Sequence, residues 1–308
     1  MHRSGVGRPP ALEEGLPYRA PLDGGALLEF LGRRAIAGVE RLDLPAYRRT
    51  LATADGACLV EVRLGEDDAL TLRAWPLRGR FDPTAVRLAV RRLFDLDVDP
   101  GAAAAVLGAD AMLAPLVRQR PGLRVPGAVD GFEMAVRAVV GQQVSVAGAR
   151  TLLGRLAAAL GSPAPGPDGV AWRLFPDARQ VAEGRLDGLG LTGARIRSLK
   201  AVAEAVLGGR LRLDPPLDRS EALTALAALP GFGPWTQAYL AMRALADRDA
   251  LPAADLGLRR AFEAQGLAGD RRSIEARAEA WRPWRAYAVH HLWASEPGPR
   301  RAAPQGGP

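Results

Sequence analysis

The stretch that decides the fold is Ser220-Glu-Ala-Leu-Thr-Ala-Leu-Ala-Ala-Leu-Pro-Gly-Phe-Gly-Pro-Trp-Thr-Gln-Ala-Tyr-Leu-Ala-Met-Arg243. Two helical segments flank Leu229-Pro-Gly-Phe-Gly233, where two glycines one residue apart allow a tight turn and a close approach to a ligand. Pro234 suits the first position of the second helix, because its missing N–H costs little there. The free amides and positive dipole end of that helix suit a phosphate.

This Leu-Pro-Gly-apolar-Gly turn between two helices is the helix-hairpin-helix pattern. A contact from its amides to backbone phosphate would position DNA without reading its sequence. The same residues also fit an ordinary turn between helices, with a glycine after the first helix. The pattern therefore favours DNA binding but leaves the plain turn open.

Composition supports a nucleic-acid partner and excludes several classes of metal site. The chain has 308 residues, a net charge of +7 and a single lysine, Lys200, so its basic surface is almost all arginine. Arginine matches phosphate geometry, although a GC-rich genome would also enrich this residue. One cysteine, Cys58, and three histidines exclude an internal disulfide, an iron–sulfur cluster and a cysteine-rich zinc site.

No apolar run approaches the roughly 20 residues needed to span a bilayer. The first ten residues, MHRSGVGRPP, lack the apolar stretch of a signal peptide. We therefore expect a cytoplasmic protein without a membrane partner.

Periodicity predicts an α+β fold in four segments. These are a tail at 1–17, an α+β domain at 18–98, a helical region at 99–296 with its hairpin at 220–247, and a tail at 297–308. In the α+β domain, alternation at 58–64 and 69–75 predicts a β-hairpin, and 39–44 an edge strand. Helices are expected at 27–31 and 83–94. Beyond residue 100 strand signals end, 163–169 reads as a loop, and helices fit 132–140, 146–160, 177–184, 193–207, 220–228, 234–247, 256–265, 273–280 and 283–294.

A carboxylate follows the hairpin at a helix start. Asp255 lies in Leu251-Pro-Ala-Ala-Asp255, directly before an apolar helix. A plain N-cap is the common fate of such a residue. A fixed negative charge near a sugar C1′ could also stabilise an oxocarbenium-like centre. The two roles are compatible, since a capping carboxylate is well positioned.

By these motifs the chain resembles the helix-hairpin-helix DNA glycosylases, and most closely DNA-3-methyladenine glycosylase II of the AlkA type. Further similar stretches stand in the same order, at 91–96, 120–127, 132–138, 141–145 and 281–287. The resemblance spans residues 18–295. It implies a small antiparallel β-sheet domain with helices, followed by an all-α region of two helical subdomains.

The resemblance implies a function and a catalytic residue. It assigns Asp255 as the catalytic carboxylate of an enzyme that flips out and excises alkylated purines, of the 3-methyladenine and 7-methylguanine type, from duplex DNA. Trp235 stands where bifunctional relatives carry the lysine that forms a Schiff base, so the enzyme is expected to be monofunctional and to leave an abasic site. A monomer associated with the nucleoid is expected.

The resemblance also assigns the pocket, the wedge and the hairpin. Its pocket aromatics correspond to Trp235, Tyr239, Trp293 and Phe30, whose faces would attract a cationic base; Ala294 departs from a second aromatic common in the family. A DNA-intercalating wedge is implied at Gln142 and Gln143, with Gln143 in place of an apolar leucine. The phosphate-binding hairpin comprises Leu229, Gly231, Phe232, Gly233 and Thr236. A monovalent cation, Na or K, would lie on the backbone carbonyls of Ala227, Leu229 and Phe232, with no cofactor for catalysis.

Two other functions stay open on the sequence. A non-catalytic helix-hairpin-helix DNA-binding protein would share the hairpin but would have no use for Asp255. A glycosylase for other damaged bases would share the fold, yet the branches that carry an iron–sulfur cluster or a catalytic lysine are disfavoured. Transfer of an alkyl group to Cys58 would need an activated thiol.

Overall fold

The amino-terminal domain is built on a five-stranded antiparallel sheet. The computed structural model describes residues 8–65, 67–215 and 217–295. The strands are β1 (Leu12–Pro17), β2 (Glu40–Asp43), β3 (Ala46–Thr53), β4 (Gly56–Leu64) and β5 (Ala69–Gly79), in the spatial order β1-β5-β4-β3-β2. The predicted hairpin is confirmed as β4 and β5, with Val60 opposite Ala74, and the predicted edge strand is β2. Apolar side chains of one sheet face pack on α1 (Gly24–Arg33) and α2 (Pro83–Phe94).

Two predictions about the strands are wrong. Residues 12–17, assigned to a tail, form β1, because they pair along the free edge of β5 and bury Leu16. Strands also occur after residue 100: β6 (Pro163–Pro165) lies in the predicted loop at 163–169 and pairs with β7 (Ala171–Arg173), just beyond that loop. Trp172 of β7 packs with Trp75 of the main sheet, so tertiary contact supports strands too short to show a pattern. The tail at 297–308 lies outside the described residues.

The rest of the described chain is mainly helical and forms two packed cores. The helices are α3 (Pro100–Leu107), α4 (Ala114–Gln119), α5 (Gly131–Gly141), α6 (Val146–Leu160), α7 (Ala178–Glu183), α8 (Gly193–Leu207), α9 (Arg219–Ala227), α10 (Pro234–Arg243), α11 (Leu256–Ala264), α12 (Arg271–Ala278) and α13 (Arg285–Ser295). One core joins α5 to α10, and the other joins α3, α4 and α10 to α13. Tyr239 of α10 contacts both cores, which are the two predicted helical subdomains. Across the described ranges, no helix has the length and hydropathy to cross a bilayer.

A buried ionic network joins the sheet domain to α5. Arg49 of β3 lies 2.7 Å from Glu133 of α5, and Arg137 of α5 lies 2.5 Å from Glu40 of β2. Each charge is matched by an opposite one at hydrogen-bonding distance, which buried ions require. Arg137 also donates to the carbonyl of Arg34 at 3.2 Å. The network therefore holds the end of α1 beside α5, where the candidate site lies.

Candidate active site

Asp255 is held by four hydrogen-bond donors. As the N-cap of α11, its Oδ1 accepts from the amides of Gly257 and Leu258 at 2.8 and 3.1 Å. The indole N–H of Trp293 donates to the same oxygen at 2.9 Å, and that of Trp235 donates to Oδ2 at 2.9 Å. The predicted capping role is confirmed. Together these four donors leave the carboxylate little rotational freedom.

The residues predicted to form a base pocket line one cavity. It has a volume of about 610 Å³, and Asp255 lies in its wall. Trp235 and Tyr239 stack with ring centroids 5.2 Å apart at 15°, as their four-residue spacing on α10 predicts. The ring centroids of Tyr239 and Trp293 are 6.4 Å apart, and Phe30 of α1 lines the cavity with them. The structure thus brings together all four predicted aromatics and the carboxylate, within the size range of ligand sites.

Two arginines that the sequence analysis missed stand in this aromatic wall. The guanidinium carbon of Arg34 lies 3.7 Å from the ring centroid of Phe30, and that of Arg243 lies 4.8 Å from it. Arg243 also donates to the Tyr239 hydroxyl at 2.9 Å. Burial lowers the pKa of Arg34 to about 10, so this guanidinium stays protonated at neutral pH, and burial also lowers the pKa of Arg243. A cationic base would therefore find the face of Phe30 already paired with protein charge.

Gly257 is a third residue of the site that was not predicted from the sequence. A Cβ at this position would lie 3.0 Å from both Asp255 Oδ1 and the Trp293 ring. That distance is shorter than an ordinary van der Waals contact. The absence of a side chain lets Trp293 approach the first turn of α11 and reach Asp255. The Asp-Leu-Gly order was visible in the sequence, but nothing there showed which ring faced the glycine.

The turn between α5 and α6 separates the two glutamines predicted as a wedge. Gln142 is turned back, and its amide donates to the Gly231 carbonyl at 2.7 Å and the Thr236 hydroxyl at 3.0 Å. The backbone carbonyl of Gln142 accepts a hydrogen bond from the Arg195 guanidinium. Gln143 is exposed with φ of +54°. Gln142 therefore links the turn to the hairpin, because the hydrogen-bond partners of its side-chain amide lie there. Of the two predicted wedge residues, only Gln143 stays exposed without such a link.

The hairpin between α9 and α10 has the predicted local chemistry. Phe232 is buried in the helical core, and Thr236 is only 3% exposed. Gly233 caps α10 without a side-chain hydrogen bond, and Pro234 takes the first position. The first-turn amides of α10 therefore keep the polarity that suits an anion.

Gly231 is the strained position of the hairpin, and its replacement should destabilise the protein. Its φ is +82°, and a Cβ would lie 2.2 Å from Ser198 Oγ. We expect Gly231→Ala to lower the free energy of unfolding by about 1–3 kcal/mol. Gly233→Ala is the matched control, since its φ is −68° and the described residues leave its Cβ in open space. Urea denaturation of both variants measures the difference; equal stabilities would contradict this role of Gly231.

Two other reactive side chains lie away from the cavity. Lys200 donates to the carbonyls of Ala182 and Gly184, each at 2.6 Å, at the end of α7. Cys58 is buried in β4, and burial raises the pKa of its thiol to about 12. Neither a Schiff-base lysine nor an activated thiol is therefore brought to Asp255 by these residues.

Comparison with known proteins agrees with this geometry. Residues 14–130 match the AlkA N-terminal domain, and residues 136–286 match the HhH-GPD superfamily base excision DNA repair protein. DNA-3-methyladenine glycosylase 2 of Escherichia coli is 34% identical over 91% of this chain and 96% of that protein. A Mycobacterium tuberculosis protein, "Probable bifunctional transcriptional activator/DNA repair enzyme AlkA", is 41% identical over 91% of this chain. This chain spans about half the length of that relative, 56%.

A solved structure shows the same fold. The 3-methyladenine DNA-glycosylase from Archaeoglobus fulgidus aligns with a TM-score of 0.77 at 19% identity, covering 92% of this chain and 97% of that one. The E. coli relative exceeds 30% identity over nearly all of both chains. By these matches, and by a hairpin and carboxylate placed as described, the chain belongs to the HhH-GPD superfamily of base excision DNA repair proteins, in the family of DNA-3-methyladenine glycosylase 2.

Proposed function

We propose that this protein is a monofunctional DNA glycosylase that flips alkylated purines out of duplex DNA and excises them, leaving an abasic site. The observation that carries the proposal is the Asp255 carboxylate, fixed by four donors in the wall of a cavity with aromatic sides. A carboxylate held this rigidly can stabilise positive charge that develops on a deoxyribose without reorganising. A protein that only bound DNA would not need it.

The reaction follows from the residues in the cavity. The flipped nucleotide enters it, and the aromatic side chains hold the base. The electrons of the N-glycosidic bond leave with the base, which neutralises the positive charge of a methylated purine. Asp255 stabilises the oxocarbenium-like sugar until water attacks C1′ and releases a proton. Trp235 cannot form a Schiff base, so the strand is not cut.

The hairpin and the α5–α6 turn would hold the DNA. The amides of Gly231, Gly233 and the start of α10 would contact backbone phosphate, and Gln143 would fill the space that the flipped base leaves. A hydrogen-bonding amide there stacks less well than an apolar side chain but can pair with the widowed base. One copy supplies every residue of this site, so a monomer is sufficient. Its substrate implies a cytoplasmic, nucleoid-associated protein.

The carbonyls proposed to bind a monovalent cation fit that task in part. The carbonyl of Phe232 accepts from the Gln237 amide at 2.7 Å, and that of Leu229 accepts from the Phe232 amide at 3.3 Å. Each carbonyl oxygen has a second lone pair for a cation. Together with Ala227 they would hold Na or K, which would screen a nearby phosphate. Among the described residues, no cluster of His, Cys, Asp or Glu is arranged for a metal.

The test is release of free base from methylated duplex DNA. We expect the protein to liberate 3-methyladenine and 7-methylguanine, detected chromatographically. The DNA strand should break only after alkali, since an abasic site is alkali-labile and no lyase lysine is present in the cavity. Strand cleavage without alkali would reject the monofunctional mechanism. Binding of DNA with no base release would favour the non-catalytic alternative.

A further inference from the structure

Two neighbouring histidines of α13 are buried on different sides of the helix. His290 is 5% exposed and His291 is 6% exposed. The imidazole of His290 lies 5.4 Å from the ring of Phe30, at 50°, and 5.1 Å from the ring of Trp293, at 65°. It therefore stands behind two aromatic walls of the base pocket and contacts both. The two histidines could not be told apart from the sequence alone.

Stability does not explain why an imidazole occupies this place. His290 Nε2 is buried without a hydrogen-bond partner among the described residues. Burial, together with the charges of Arg243, Arg34 and His291, holds the pKa of His290 well below its usual value, so the ring is neutral. A buried polar atom without a partner destabilises a protein, and an apolar side chain of similar size would remove that cost. The ring shape is what remains to be explained.

The contact with Trp293 leads directly to the carboxylate. Trp293 donates to Asp255 Oδ1 at 2.9 Å, and its ring approaches Gly257 so closely that a Cβ there would lie 3.0 Å away. The indole is thus confined between α11 on one side and the imidazole on the other. A small rotation of the ring would lengthen the hydrogen bond that orients Asp255. His290 meets the indole in the T-shaped arrangement, at 65°, that aromatic ring pairs favour.

We propose that His290 is a positioning residue, which holds the Trp293 indole against Asp255 and supports the Phe30 ring in the pocket wall. The proposal rests on the proposed function, since it concerns the rate of base release. His290 is not among the residues that line the cavity. It acts through Trp293 and Phe30, as a neutral, flat side chain in the wall behind them.

The experiment compares His290→Leu with His291→Leu. His291 is the matched control, because it is equally buried on the same helix and its Nδ1 also has no partner among the described residues. Its charged neighbours are Arg120 and Asp23, away from the pocket aromatics. For each protein, three quantities are measured: the single-turnover rate of 7-methylguanine release at saturating enzyme, the Kd for a duplex with a tetrahydrofuran abasic-site analogue, and the melting temperature.

We expect His290→Leu to release base about tenfold more slowly, with Kd within twofold of the parent and a melting temperature that is unchanged or raised. His291→Leu should keep a rate within twofold. A parental rate for His290→Leu, equal slowing of both variants, or slowing accompanied by a lowered melting temperature would overturn the positioning role. A parent protein that releases no base would instead reject the proposed function.

Discussion

Asp255→Asn is expected to slow base release by at least about 100-fold while DNA binding stays near the parental value. Asparagine keeps an oxygen that can cap α11 through Gly257 and Leu258. It removes the negative charge that stabilises the sugar cation. Both carboxylate oxygens accept hydrogen bonds from indole N–H groups. The side-chain NH2 of asparagine, which is itself a donor, would therefore face another donor. The loss therefore falls on the chemical step and not on the hairpin.

The measurement is the single-turnover rate of base release beside the Kd for the abasic-analogue duplex. Asp270→Asn is the matched control, because Asp270 caps α12 by accepting from Ser273 at 3.1 Å on the exposed surface. This variant should release base at the parental rate. If Asp255→Asn were as active as the parent, or if Asp270→Asn lost as much activity, a catalytic charge at Asp255 would be rejected.

Removing both indole donors is expected to produce the second largest loss. Trp235→Phe and Trp293→Phe should each slow base release about tenfold, and the double variant about 50-fold or more, because a hydrogen bond to a charged group contributes roughly 1.5–3 kcal/mol. Phenylalanine keeps an aromatic ring in the pocket wall. The change therefore tests the orientation of Asp255 more than the stacking of the base.

Trp284→Phe provides the control for this pair. Trp284 packs edge-on against Tyr287 with centroids 5.2 Å apart, outside the cavity that holds Asp255. Its replacement should leave the rate of base release unchanged, and the melting temperature of each variant shows whether the fold is retained. A double variant with the parental rate would mean that the two backbone amides alone suffice to orient the carboxylate.

The fold could be predicted where periodicity was strong over many residues. Helices α6 and α8 have the predicted bounds, and the hairpin of β4 and β5 was recognised from alternation. The strands β1, β3, β6 and β7 were missed. Strand β1 pairs with β5, which is distant in sequence, and the short strands β6 and β7 are supported by the packing of Trp172 on Trp75. The pairing of Trp172 with Trp75 could not be read from either segment alone. Long-range contacts, and not local propensity, decide such strands.

The residues of the candidate site could likewise be predicted only in part from the sequence. Asp255 and the pocket aromatics could be named from motif spacing and family resemblance, and the structure places all of them around one cavity. The different positions of Gln142 and Gln143 could not be predicted from the sequence, because both residues are polar and they are adjacent. Only the position of the hairpin shows that the Gln142 amide has partners at Gly231 and Thr236.

By itself, the sequence determined the helical hairpin, the carboxylate at a helix start and the family, because glycine, proline and capping residues act through the backbone next to them. Tertiary structure alone decided which side chains face the carboxylate. The indoles of Trp235 and Trp293 reach Asp255 from two different helices, and the guanidiniums of Arg34 and Arg243 meet over the Phe30 ring in the wall of the same cavity. The physical reason is that hydrogen bonds and charge pairing depend on distance in space, and the packing of the two helical cores against the sheet domain sets that distance.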